Sequence, residues 1–340
     1  MSLEFRHIAH AYGEVQALRE IDFAAPAGEI TCLLGASGCG KSTLLGLAAG
    51  LLPVQQGTIM LDGDVLADRR HAPPPEKRPV GLVLQEGALF PHMDLARNIA
   101  FGLPKARHGE IDVWLEQVGL AGLGARYPHE LSGGQQQRAA LARAMAPGPS
   151  VLLMDEPFAS VDIVLRRRLR RDCRILLKER GTTTILVTHD PAEALDIGDR
   201  IAVMEAGRIV QFGSPEELHE APHAASVGAM FSGAQVVPAD RRGDRLSTPF
   251  GDWPVGCVSG ALPDSVRLSL LVHARSLDLV ADPGGFSVRD VHGLGTGQMR
   301  VLLREAGGDD LAIETGAAPA PGERFRVVPR AGTVRAFAAG

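Results

Sequence analysis

The segment Gly35-Ala36-Ser37-Gly38-Cys39-Gly40-Lys41-Ser42-Thr43 constrains this chain more than any other. It fits the spacing G-x-x-x-x-G-K-[ST]. The apolar run Ile30–Leu34 precedes it and a helical pattern opens at Ser42. Strand, glycine-rich loop and helix in that order build an anion cradle. The glycines let backbone N–H groups curl around the anion, and the helix N-terminus adds partial positive charge. Lys41 is placed to reach β- and γ-phosphates, Ser42 to put its hydroxyl on Mg²⁺, and Thr43 to add a phosphate contact. The loop therefore predicts an α/β fold that binds ATP.

Val151-Leu152-Leu153-Met154-Asp155-Glu156-Pro157 places two acids at the end of an apolar strand. Ligands of α/β sheets bind outside the carboxyl ends of the strands. Asp155 is expected to hold the Mg²⁺ shell, and Glu156 to act on the attacking water as general base. Further along, Leu131-Ser132-Gly133-Gly134-Gln135-Gln136-Gln137-Arg138 leads into a helix running to about Ala146. A serine hydroxyl, exposed N–H groups and a helix dipole make a second anion site there. Two phosphate-binding helix ends in one chain suit a head-to-tail pair, in which each chain's second site closes over the other's ATP.

Around these motifs the pattern alternates. Strands are expected at Leu3–Ile8, Ala17–Phe23, Glu29–Leu34, Gly57–Leu61, Val80–Leu84, Val151–Met154 and Thr184–Thr188. Helices are expected at Leu44–Leu51, through Asp94 to about Pro147, and at Leu165–Arg180. Continuous apolar runs such as Thr184–Thr188 read as a parallel sheet buried on both faces. After about Ser232 the composition changes. Gln235–Gly256 is polar and rich in glycine and proline, and short alternating strands follow at Ser265–Val272, Gly297–Glu305, Leu311–Thr315 and Arg324–Pro329. Turns are expected at Gly284–Gly285, Gly307–Gly308 and Pro321–Gly322, which makes a small all-β domain. At 340 residues the chain exceeds the usual single core, which fits two domains.

The run L-S-G-G-Q at 131–135 is the signature of the ATP-binding-cassette family, and residues 1 to about 232 resemble it throughout. The resemblance implies a P-loop NTPase fold: a RecA-like core, an antiparallel β subdomain and a helical subdomain at about 86–148. An OB-like regulatory domain at 233–340 would follow. By the same resemblance Tyr12 in His10-Ala11-Tyr12-Gly13 stacks on adenine. Gln85 senses Mg²⁺ and nucleotide, Asp162 communicates across the dimer, and His189 contacts the γ-phosphate. The P-loop residues Gly35 to Thr43 hold ATP from one chain, and Ser132, Gly133, Gly134 and Gln135 hold it in trans from the other. The implied assembly is a homodimer on membrane permease subunits, served indirectly by a solute-binding protein. Glu86–His92 looks like the surface that couples to the permease.

One cassette, no heptad run and a β-domain after the cassette resemble solute importers rather than the soluble ABC ATPases of translation and repair. Leu84–His92 and Arg126–Ala144 look most like ferric-iron importer ATPases, with polyamine or another small organic solute as the alternative cargo. Importers of this type often carry Arg-Pro-Glu near the middle of the β-domain, where this chain reads Val272-His273-Ala274-Arg275. Dimer support is therefore the expected role of that domain.

Composition narrows the remaining options. A net charge of −5 argues against a dedicated nucleic-acid partner. The basic run Arg166, Arg167, Arg168, Arg170 and Arg171 reads as a solvated helix face. No stretch of about 18 uncharged apolar residues occurs, and the N-terminus lacks a basic start followed by an apolar run. The expected place is thus the cytoplasmic face of the inner membrane, held there by partners. The cysteines Cys32, Cys39, Cys173 and Cys257 show no metal-ligand spacing and read as reduced thiols.

Overall fold

A computed structural model of the chain describes residues 1–340 except 85–88, 160, 162, 296, 305–309, 317, 320–322 and 340, and of residues 163–165 it describes the backbone alone. The expectations for Gln85, the 86–88 part of the coupling stretch, Asp162 and the turns Gly307–Gly308 and Pro321–Gly322 lie outside the described residues. The chain divides into two compact units, Met1–Glu216 and Glu217–Gly340.

In the first unit the elements run β1 (Leu3–Tyr12), β2 (Val15–Ala25), β3 (Ile30–Leu34), α1 (Lys41–Ala49), β4 (Gln56–Leu61), β5 (Asp64–Asp68), β6 (Val80–Val83), α2 (Leu95–Ala100), α3 (Ile111–Gln117), α4 (Gly133–Met145), β7 (Val151–Asp155), α5 (Ile163–Arg180), β8 (Thr183–Thr188), α6 (Pro191–Ile197), β9 (Arg200–Glu205) and β10 (Arg208–Gly213). They form two sheets. One is antiparallel, ordered β2-β1-β4-β5; the other is ordered β10-β9-β3-β8-β7-β6. In the second sheet β3, β6, β7, β8 and β9 are parallel, and only the β10–β9 pair is antiparallel. Every residue of β3 and of β8 is buried, as the continuous apolar runs require.

Helix α1 lies in a core shared with both sheets. Leu44, Leu45 and Leu47 pack with Leu3, Phe5 and Ile59 of the antiparallel sheet and with Leu33, Leu153 and Val187 of the parallel one. A helix buried on all sides leaves its last carbonyls without water. Arg78 answers this: its Nη1 donates to the carbonyls of Leu47 at 2.7 Å and Ala48 at 2.9 Å. Burial holds the Arg78 pKa below its ordinary value. Between β6 and β7 the helices replace strands. Asn98, fully buried, fastens the start of this region: its amide donates to the carbonyls of Phe90, Met93 and Asp94 and accepts from the Phe90 N–H.

The second unit begins within α7 (Pro215–Glu220) and continues through α8 (Ala225–Ser232), β11 (Gln235–Arg242), β12 (Arg245–Thr248), β13 (Gly251–Pro254), β14 (Arg267–Val272), β15 (Leu277–Gly293), β16 (Met299–Arg304), β17 (Asp310–Thr315), β18 (Arg324–Pro329) and β19 (Arg335–Ala338). Its sheets are ordered β13-β12-β11-β14-β19 and β17-β16-β15-β18. They enclose one core around Trp253, Leu268, Leu270, Val301 and Ile313. Helix α8, assigned to the first domain on sequence grounds, packs on β11, β14 and β19 of this unit. Gln235–Gly256, polar and rich in glycine and proline, holds the three strands β11, β12 and β13. Gly284 and Gly285 sit inside the long strand β15, not in a turn between strands. The β15–β18 register shifts between Ala281 and Phe286, and a Cβ on Gly285 would lie 2.4 Å from the Phe325 carbonyl oxygen. The glycine admits a bulge where two backbones approach closely.

Candidate active site

The glycine-rich loop is shaped by what surrounds it. A Cβ on Gly35 would lie 2.3 Å from the Met204 carbonyl oxygen, and one on Gly40 would lie 2.6 Å from that of Ala17. Gly40 also has φ of 107°, which an L side chain rarely adopts. The turn between β9 and β10 grips the loop from outside: the Gly207 N–H donates to the Cys39 carbonyl at 3.2 Å, and the Gly207 carbonyl accepts from Arg19 N–H at 2.8 Å. Ala206 and Gly207, both at positive φ, form the kind of two-residue hairpin turn that matches strand twist.

Lys41 is buried and folded back on its own loop. Its ammonium donates to the carbonyls of Gly35 at 2.8 Å and Ala36 at 2.9 Å. The Cys39 Sγ lies 3.7 Å from the same ammonium, and a buried cation held by two neutral carbonyls and a thiol is a strong attractor for an incoming anion. The next residue faces the carboxylates: Ser42 Oγ donates to Asp155 Oδ1 at 3.3 Å. Burial raises the Asp155 pKa above its ordinary value; the Ser42 hydrogen bond opposes this and the Glu156 charge adds to it.

Glu156 has φ of 43°, an uncommon region for a residue with a Cβ. Its N–H donates to the Val187 carbonyl at 3.0 Å, so strand β8 holds it there. The strained backbone turns the side chain toward His189, whose Nδ1 lies 3.0 Å from Glu156 Oε1. Strand β7 thus delivers both acids and β8 delivers the histidine at the same sheet edge.

Tyr12, Ser37, Gly38, Gly40, Lys41, Ser42, Thr43 and Glu156 line one open cleft of about 480 Å³. Tyr12 is half exposed, and its hydroxyl sits 3.5 Å from Thr43 Oγ1. Asp155 and His189 join the cleft through Ser42 and Glu156. Gly35, Ala36 and Cys39 belong to the same loop but do not line the cleft. Val15, Gln16, Ala17, Arg19, Ala206 and Gly207 complete the lining and were not expected there from the sequence. The pair Ala206-Gly207 between two apolar runs was the available signal. Ser132, Gly133, Gly134 and Gln135 do not line this cleft. They open α4, where Ser132 Oγ accepts from Gln135 N–H at 3.4 Å and Gln135 Oε1 accepts from Ser132 N–H at 2.9 Å. That capping box leaves the N–H of exposed Gly133 for an outside anion, while Gly134 is buried.

Residues 18–159 match the protein-family model described as ABC transporter. The whole chain aligns with an Fe(3+) ions import ATP-binding protein FbpC of Pseudomonas fluorescens at 39% identity, covering 94% of that relative. This chain belongs to the ABC transporter family, in its ATP-binding branch. A sulfate/thiosulfate import ATP-binding protein CysA 2 of Chromobacterium violaceum is equally similar, 39% identical over 96% of this chain and 90% of its own length. The CysA of Mycobacterium tuberculosis is 48% identical over 68% of each chain. Membership of this family accounts for ATP binding and for the α/β core followed by a β-rich unit. Among the described residues no helix is long and apolar enough to cross a membrane.

Proposed function

We propose that this chain is the ATP-hydrolysing subunit of an ABC importer, working as a homodimer that sandwiches two Mg·ATP and docks on membrane permease subunits. The observation that carries the reading is the convergence of Lys41, Ser42, Asp155, Glu156 and His189 on one cleft edge. The Ser42 hydroxyl and Asp155 carboxylate are an oxygen-only pair that suits Mg²⁺, with phosphate and water filling the other positions. Half-buried Asp155, with Glu156 beside it, lacks the full counter-charge that a divalent ion supplies. Glu156 takes a proton from the attacking water. Lys41, His189 and the opposing Ser132 hold charge on the γ-phosphoryl group. Gln85 and Asp162 take the Mg²⁺-sensing and dimer-communication roles of the family. The second unit supports the dimer. The protein works on the cytoplasmic face of the inner membrane.

Ferric iron is the first cargo reading, supported by the FbpC relatives of Pseudomonas fluorescens and of Mesorhizobium japonicum. Sulfate is the second, supported at equal identity by the CysA relative of Chromobacterium violaceum. The cassette does not touch cargo, so the test belongs to the assembled transporter. ATPase of the complex reconstituted with its permease and binding protein is measured with ferric iron, sulfate and a polyamine. Stimulation by iron alone is expected; stimulation by sulfate or polyamine and not by iron overturns the cargo assignment.

A further inference from the structure

The arginine run expected to form a solvated face is divided between two faces of α5. Arg167, Arg168 and Arg171 stay near solvent, while Arg170 is buried and Arg166 partly so. The cations at 166, 170, 174 and 178 recur every fourth residue, which places them on one face of the helix. Arg166 donates to the Val161 carbonyl at 2.8 Å, in the loop after Glu156. Arg170 donates to Asp190 at 2.7 Å, Glu193 at 2.9 Å and Asp196 at 3.4 Å. Arg174 pairs with Asp199 at 2.6 Å and also donates to the Ile197 carbonyl. Lys178 completes the series with Asp199 at 3.0 Å and the Gly28 carbonyl at 3.2 Å.

The second rung lies next to the chemistry. His189 is more than half exposed, and its ring contact is with Glu156. An exposed ring is placed by its backbone, and that backbone is tied on both sides. Thr188 is buried and its hydroxyl accepts from the Asp190 N–H at 3.0 Å. Asp190 spends one carboxylate oxygen on the Ala192 N–H, capping α6, and the other on Arg170. Two carboxylates beyond Asp190 share the same guanidinium, so the rung is fixed from α6 as well as from α5.

We propose that Arg170 and Asp190 are positioning residues for the hydrolytic reaction: their ion pair sets where His189 stands between Glu156 and the γ-phosphate. The inference rests on the role proposed for His189 above. It places a requirement on α5 that the nucleotide-contacting motifs do not contain. A cation four residues from the next rung, facing an acid directly after the histidine, is part of the active-site frame.

Arg170→Met leaves Glu193 buried and unpaired, so that variant is liable to misfold. Asp190→Asn is the informative change, because Asn keeps the helix cap and removes only the charge that Arg170 holds. ATP hydrolysis is measured on the full chain for wild type, Asp190→Asn, His189→Ala and the double variant. Asp190→Asn is expected to lower kcat between about 10- and 100-fold through misplacement of the ring, with KM for ATP moving less than about twofold. In the His189→Ala background the same substitution should change kcat little, because the residue it acts through is gone. Equal losses in both backgrounds, or a wild-type kcat for Asp190→Asn, overturn the inference. If His189→Ala itself turns over at the wild-type rate, the role given to His189 falls, and the inference with it.

Discussion

Glu156 is held at positive φ by the Val187 carbonyl and by the His189 ring. Backbone strain of this kind costs about 1–3 kcal/mol and persists where surrounding structure over-determines it. Here the return is a carboxylate turned from the strand end toward the cleft. Asp155, one residue earlier, continues strand β7 and faces Ser42 instead. Adjacent acids thus reach different partners because one keeps the strand conformation and the other leaves it. Replacing Glu156 with Gln preserves shape and removes the base. Phosphate release should fall by about 10²–10⁴-fold, the range of a lost general base. ATP affinity, measured by equilibrium binding, should stay near wild type. Both acids and the loop were legible as motifs, since a strand end followed by two carboxylates is a local pattern. The capture of the glycine loop by Ala206-Gly207 was not, because it joins segments far apart in sequence.

At the level of elements, the buried parallel strands were the most readable. Every residue of β3 and β8 is inside, so the sequence there is continuously apolar or threonine. The second unit was harder. Strand β11 buries only Val237 and Ala239, and it contains Pro238, which usually argues against a strand. Pro238 is tolerated because β12 pairs with β11 only from Asp240 onward, leaving an edge there. Helix α5 was placed correctly and its arginines were not, because a charge run does not say which members face inward. Spacing by four was the available clue. The same ladder makes a prediction about acid. Burial opposes ionisation of Asp199, yet the Ile30 N–H, Lys178 and Arg174 together hold its pKa below the ordinary carboxylate value. A depressed carboxylate pKa contributes stability that is present above the unfolded-state value and lost as pH falls through the folded one. Calorimetric unfolding of Asp199→Asn should therefore show a midpoint below wild type at neutral pH, with the gap closing below about pH 4. A gap of constant size down to pH 3 would remove Asp199 from the acid-labile set.

In the first unit the cleft at the glycine-rich loop stands apart from the self-capped helix end at α4, which does not line it. Ser132 and Gln135 satisfy each other, so the helix end is stable in a single chain and still presents Gly133. A cleft of about 480 Å³ that is open to solvent gives the attacking water no enclosure until another surface closes it. Both features follow if a second copy brings its α4 end to the first copy's nucleotide. Two helix ends with phosphate-binding character in one sequence suggest such a pairing as logic, and the sequence carries none of its geometry. Hydrolysis, on this reading, belongs to two chains. The direct measurement is phosphate release from Mg·ATP by the purified full chain over a range of protein concentration. The activity per chain should rise with concentration and level off once the nucleotide-bound dimer is saturated. A rate per chain that stays constant to the lowest dilution, or no phosphate release at any concentration, would contradict it.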